Sequence, residues 1–205
     1  MRILKASRSS ILEAARVIKA GGLVVYPTDT VYGLGCDPFN TLAVKRLVEA
    51  KGEREKPLPV LVSDIEHVKV VAEMTKAAEK LARKFWPGPL TIVLKRKPRL
   101  PEIVTFGHDT VGVRVPNHSV TLQLLRWCDG ILIGTSANIS GNKSATTAEG
   151  AAKQLGDKVD LILDGGRSPL GKSSTVVNLA DRRFKVERVG PINLDEIKSI
   201  LARKA

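Results

Sequence analysis

Sulfur and aromatic rings are scarce in this chain, and each scarcity closes off a class. Two cysteines, Cys36 and Cys128, stand in 205 residues, too few for a disulfide framework or a zinc ribbon. Aromatic residues make up 4% of the chain, which argues against a platform of exposed rings for stacking single-stranded nucleic acid. The histidines, His67, His108 and His118, are not spaced as metal ligands, and no Cys-x-x-Cys occurs. No apolar run approaches the ~20 residues of a membrane-spanning helix. The opening MRILKASRSS has no apolar signal core, so the cytoplasm is expected and a membrane partner is not. Internal repeats, low-complexity tracts and linkers are missing too, and the expectation is a single domain over 1–205.

What is present is apolar mass and positive charge. Apolar residues are 43% of the chain, enough for a core, so wholesale disorder is excluded. Against 21 Asp+Glu stand 33 Lys+Arg, a net charge of +12, which favours an anionic partner such as a nucleotide or a nucleic acid. Most of these cations fall on polar helix faces and at the termini, where they solvate.

Helical and strand periodicities alternate. Residues 10–20, 41–50, 75–85, 119–128, 148–156 and 192–201 have helical spacing, the first opened by a Ser10-x-x-Glu13 capping box. Apolar runs at 23–27, 59–62, 90–95, 110–116, 130–136 and 159–164 read as strands, and 174–179 with 183–189 as a hairpin. Interleaving of this kind means α/β, with a mixed sheet because the last two strands follow each other directly. The polar, small-residue stretch 138–146 has the composition of a loop over a site.

One motif misleads. Gly166 to Ser173 matches the P-loop pattern G-x-x-x-x-G-K-[ST] and follows a strand. Phosphate binding there needs a helix starting at the Lys-Ser, and the following STVVNL is strand-like. A glycine-rich turn between strands is the better reading. Gly134-Thr-Ser136-Ala-Asn138 lacks the last glycine of a nucleophile elbow, and Cys36 reads as a small core residue.

Four clusters carry chemistry. Pro27-Thr28-Asp29-Thr30 with Tyr32-Gly33 follows a strand and offers hydroxyls and close backbone approach. Lys51 to Leu58 ends a helix with several cations, which suit phosphate or the helix dipole. In Asp109 to Pro116, Thr110, Gly112 and Arg114 share one strand face. An arginine inside an apolar strand is costly unless paired or ligand-bound, and a carboxylate or phosphate suits its planar fork. The fourth cluster is Thr135-Ser136-Ala137-Asn138 with Ser140-Gly141.

Read in order, GGLVVYPTDTVYGLG, KxxREKPLPVLV, FWPGPLTIVL, DTVGVRVP, GTSANISG, DGG, STVVNL and ERVGPI resemble the YrdC-type L-threonylcarbamoyladenylate synthases, from about residue 10 to about residue 200. The resemblance implies a YrdC-like twisted mixed sheet flanked by helices, with a basic concave face, in the short form without an extra C-terminal domain. It implies an ATP-dependent nucleotidyltransferase joining L-threonine, bicarbonate and ATP into L-threonylcarbamoyl-AMP with release of pyrophosphate. A partner transferase then passes the group to tRNA. By motif, Thr28 and Thr30 lie beside threonine, and Arg114 and Ser174 bind its carboxylate. Lys51 and Arg54 meet the ATP phosphates and stabilise charge. Thr110, Ser136, Asn138 and Ser144 contact the nucleotide, and Arg188 closes over it. Mg²⁺ is expected to arrive with ATP, since no carboxylate pair forms a dedicated metal site, and no residue is expected to act as a nucleophile. The segment Lys51 to Pro57 is one residue shorter than the family pattern and has Glu where Arg is usual, so Lys56 is an alternative to Arg54. The rival expectation is a structured-RNA binder, for tRNA or double-stranded RNA, using the basic face.

Overall fold

The computed structural model describes residues 1–52, 56–181 and 184–202. Along them run β1 (Arg2–Lys5), α1 (Arg8–Lys19), β2 (Val24–Tyr26), β3 (Gly33–Gly35), α2 (Thr41–Lys51), β4 (Val60–Val62), α3 (Ile65–Val71), α4 (Lys76–Phe85), β5 (Leu90–Lys95) and α5 (Glu102–Thr105). There follow β6 (Thr110–Arg114), α6 (Ser119–Trp127), β7 (Ile131–Ile133), β8 (Thr135–Ser136), α7 (Ala148–Leu155), β9 (Leu161–Asp164), β10 (Thr175–Asn178), β11 (Lys185–Arg188) and α8 (Leu194–Ala202).

The α/β class with mixed strand directions is what forms, with the strands divided between two sheets. A five-stranded sheet has the order β1-β9-β2-β3-β8 and a six-stranded sheet the order β11-β10-β5-β6-β4-β7. In the first, β1, β9 and β2 are parallel and β3 runs against its neighbours β2 and β8. In the second, β10 and β5 are parallel, as are β6 and β4, while β5 and β6 are antiparallel. The expected hairpin is β10 against β11, with an irregular register between Val176 and Val177.

The expected strand 130–136 is broken at Gly134, where the chain leaves one sheet for the other. Gly134 N–H donates to the Pro59 carbonyl at 2.8 Å, and a Cβ at that position would run into the Leu61 side chain. Strands β1 and β3 carry no readable signal. β1 is a mostly exposed edge strand with a cation at each end. β3 is Gly-Leu-Gly, and it pairs because the Tyr26 ring lies across both glycines, where a Cβ would stand 2.7–2.8 Å from ring carbons. Helix α1 starts earlier than its Ser10 signal. Ser7 is the N-cap, and its hydroxyl accepts from Ser10 N at 3.2 Å while Ser10 Oγ accepts from Ser7 N at 2.8 Å. That start still buries Ile11, Ala14, Ala15 and Ile18 on one face.

The larger apolar cluster draws on both sheets, with Val25 and Leu34 from one and Val60, Ile92 and Val113 from the other. A smaller cluster packs Ile11 and Ile18 of α1 with Leu124 of α6 and Leu161 of β9. Each such side chain contributes about 1.5–3 kcal/mol on burial. Together they fix the two sheets against each other, and both sheets then wall the cleft that follows.

Candidate active site

A cleft of about 620 Å³ opens where the sheets meet, within the range of small-molecule sites. Its floor is β6. Val111 and Val113 are fully buried in the core, while Thr110, Gly112 and Arg114 point the other way and line the cleft, as two-residue alternation requires. Gly112 keeps the floor open: a Cβ there would lie 3.1 Å from Thr91 Cγ2 and 3.7 Å from Pro59 Cβ.

Arg114 is buried, and three residues on two loops hold it. Its Nε donates to the Gly88 carbonyl at 2.9 Å and its Nη1 to Thr30 Oγ1 at 2.8 Å. Its Nη2 donates to Asp29 Oδ1 in a buried ion pair. Three of the five guanidinium N–H groups are thereby used, and two remain without a partner among the described residues. Burial draws the guanidinium below its ordinary value, opposed by the Asp29 carboxylate, and arginine stays charged at any physiological pH. Thr28 shapes the same loop: its Oγ1 donates to the Val31 carbonyl at 2.6 Å and lies 3.0 Å from Thr30 Oγ1.

Beside Arg114 stands a second cationic group. Arg188 donates from Nε to the Ser174 carbonyl at 2.9 Å and from Nη2 to Ser174 Oγ at 3.0 Å. Ser174 Oγ also lies 2.8 Å from Thr91 Oγ1. Burial lowers the Arg188 guanidinium as well. Arg114, Arg188, Thr30, Thr91 and Ser174 therefore converge as donors on one end of the cleft, an arrangement matched to a carboxylate or a phosphate oxygen.

The residues expected from sequence are not all brought together. Thr28, Thr30, Thr110, Arg114, Ser136, Ser174 and Arg188 line the cleft. Lys51 does not. It is 1% exposed, and its Nζ donates to the carbonyls of Ser136 at 2.6 Å and Asn138 at 2.8 Å. The end of α2 thus braces the loop after β8, helped by Ser140 N–H on the Lys51 carbonyl at 2.9 Å. Asn138 is also buried, and its Nδ2 donates to Ile139 O at 2.7 Å and Asn142 O at 2.9 Å, folding the turn in which it sits. Ser144 is half-buried and outside the lining. Arg54 lies outside the described residues.

Lys56, the alternative to Arg54, lines the cleft. So do His108, Thr91 and Glu187, to which the sequence assigned no role. Thr91 had a signal, as the one hydroxyl at the start of an apolar strand. Tyr32 lines it too, its hydroxyl donating to Gly166 O at 2.7 Å and accepting from Gly165 N at 3.2 Å. Burial pushes that phenol up to about 12. The false P-loop is the turn from β9 to β10. No helix follows Lys172-Ser173, since β10 begins at Thr175. Among the described residues no three His, Cys, Asp or Glu side chains gather as a metal site. Nor is any helix long and apolar enough to cross a membrane.

Comparison with known proteins gives the family. The Sua5/YciO/YrdC family model, described as "Telomere recombination", matches residues 16–190. A threonylcarbamoyl-AMP synthase of Pyrococcus abyssi is 41% identical over 190 residues, which is 92% of this chain and 56% of that protein. The chain therefore spans little more than half the length of that relative. The crystal structure of P. abyssi Sua5 complexed with L-threonine superposes with a TM-score of 0.93 at 38% identity, over 98% of this chain and 60% of that one. E. coli YciO superposes with a TM-score of 0.87 at 26% identity, over 96% and 98% of the two chains. By its sequence from residue 16 to residue 190 and by its two-sheet fold, the chain belongs to the Sua5/YciO/YrdC family.

Proposed function

We propose that the protein is a nucleotidyltransferase that makes L-threonylcarbamoyl-AMP from L-threonine, bicarbonate and ATP and releases pyrophosphate. The observation that carries this is the buried Arg114, with two guanidinium N–H groups left over after three fixed bonds, on the lining of a cleft. The threonine complex of the P. abyssi relative supports the substrate, and the names of the relatives support the product. The larger apolar cluster, drawn from both sheets, supports treating 1–205 as one domain.

The chemistry asks for positioning more than for a reactive side chain. The threonine amine and bicarbonate give a carbamate and water. A carbamate oxygen then attacks the α-phosphorus of ATP, and the bond to the β-phosphate oxygen breaks to release pyrophosphate. Arg114 and Ser174 take the threonine carboxylate beside Thr28 and Thr30. Thr110 and Ser136 contact the nucleotide, and Arg188 closes the carboxylate end. Lys56 meets the phosphates with Arg54, while Lys51, Asn138 and Ser144 shape the loop behind them. Mg²⁺ would come with ATP as part of the substrate and would offset the charge of its phosphates. A partner transferase consumes the product to modify tRNA. The RNA-binding alternative has less support, since Arg114 is buried and both Arg114 and Arg188 are bonded within the site.

The test is pyrophosphate release with each substrate omitted in turn, and mass spectrometry of the mixture. Release that needs L-threonine, bicarbonate and ATP together, with the mass of threonylcarbamoyl-AMP, is the expected result. Release unchanged without threonine overturns it.

A further inference from the structure

The carboxylate Asp29 stands in a family motif yet has no place in the roles given above. It is 4% exposed and does not line the cleft. Its Oδ1 accepts from Arg114 Nη2 and from the Asn117 backbone N–H at 3.1 Å. Its own carbonyl accepts from Leu170 N–H at 3.0 Å, in the turn that leads to Ser173 and Ser174. Its Oδ2 is buried without a hydrogen-bond partner among the described residues. An ionised oxygen left bare in the interior is costly, so this carboxylate is kept at the expense of stability. His118 sits nearby: burial lowers its imidazole, and the Asp29 charge opposes that.

We infer that Asp29 is the positioning residue of this site: it fixes the plane of the Arg114 guanidinium so that the two unused N–H groups face the cleft, without touching the ligand itself. The inference rests on the reading of Arg114 as the carboxylate grip. A bidentate grip presents parallel N–H groups, and its orientation has to be held within about 10–20°. Gly88 O and Thr30 Oγ1 fix Nε and Nη1. Asp29 Oδ1 supplies the third fixed acceptor, on Nη2, and the position of that oxygen completes the hold on the guanidinium. The same residue ties the turn carrying Ser174 to that plane through Leu170, so the two groups assigned to the carboxylate share one anchor. The negative charge also partly cancels that of Arg114. Affinity for a carboxylate then depends on the geometry of the free N–H groups and on Arg188 rather than on bare charge.

The test compares Asp29→Ala and Asp29→Asn in the full chain. With Asp29→Ala, the KM for L-threonine rises about tenfold or more while the KM for ATP stays within about twofold. Asp29→Asn recovers most of the loss, because its amide oxygen accepts the same Nη2–H. Equal changes in both KM values, no change in the threonine KM, or an Asn variant as poor as the Ala variant would each overturn the inference. A readout independent of turnover and of any variant's folding comes from NMR of the unmodified protein. The Arg114 guanidinium, assigned by its loss in Arg114→Ala, is expected to show slow rotation and slow proton exchange without ligand. A freely rotating Arg114 overturns the inference even if the synthase activity is confirmed. Failure of the synthase activity leaves the NMR result standing by itself.

Discussion

The two ends of the cleft are built differently. At the Arg114 end the side chains are bonded to one another, and most of them are buried: Arg114 to Thr30 and Asp29, Arg188 to Ser174, Ser174 to Thr91. At the Ser136 end the lining comes from Gly134 and the short strand β8 and from Lys56 and Pro57, and the buried Lys51 behind them bonds to the carbonyls of Ser136 and Asn138. One end is a constellation of bonded side chains. The other is a short strand propped from behind, with a lysine on the lining. Fixed donors suit a small ligand read atom by atom, whereas a braced backbone with a cation beside it suits a flexible phosphate chain gripped mainly by charge.

Substitution at the rigid end has the largest expected effect. Arg114→Ala should lower kcat/KM for L-threonine by roughly a hundredfold, since it removes two charge-assisted hydrogen bonds to a carboxylate. Lys69→Ala, at an exposed ion pair with Glu66, is the control and should leave the kinetics within about twofold. Steady-state kinetics with threonine varied decides it, and equal effects of the two changes would remove the distinction between the ends.

At the braced end the effect should fall on stability instead. Lys51→Met strips a charged donor from two buried carbonyls, a loss of about 2 kcal/mol, which for a chain of this size lowers Tm by roughly 4 °C. The KM for ATP should change much less. A variant with an unchanged Tm and a greatly raised ATP KM would return Lys51 to the phosphates, where sequence alone puts it.

The two buried thiols give a smaller, pH-dependent effect. Burial raises Cys36 and Cys128 to about 12 from an ordinary 9.0. Between those values the unfolded chain loses protons that the folded chain keeps, so stability falls as pH rises past 9 and goes on falling toward 12. Below pH 9 the thiols contribute no slope. Chemical denaturation at several alkaline pH values measures this, and a flat profile would show the thiols to be in water. Least of all should come from Lys172→Ala in the false P-loop, whose ATP KM should stay within about twofold. A loss of ATP binding there would mean that the glycine-rich turn grips phosphate after all.

The same contrast explains what was legible in the sequence. Strand alternation put Thr110, Gly112 and Arg114 on one face, and the cleft lining agrees. The helix start at Thr75 was readable because a capping side chain is a local event. The bracing bonds of Lys51 were not legible because the direction of a long side chain at a helix end depends on which carbonyls the tertiary fold brings to it, here two that lie 85 and 87 residues away. Those of Asn138 are local, to the carbonyls of its own turn, but an amide in a polar loop has no pattern that announces them. The division into two sheets turns on Gly134 and Leu61, a contact between residues far apart in sequence. The partner of Arg114 stood in plain view at Asp29, but only the fold shows which side chain the arginine meets.

Strand β6 has one more consequence, and it concerns length. Its three cleft-facing positions recur every second residue, a step of about 6.6–6.8 Å, so Thr110 and Arg114 stand about 13 Å apart along the strand. A paired strand does not stretch, and the strand therefore serves as a ruler with marks at its ends and a bare midpoint at Gly112. A molecule held at both marks is measured by backbone, before any side chain has judged its shape. Whatever joins the two halves of that molecule lies near the glycine, the one mark with no side chain to obstruct it.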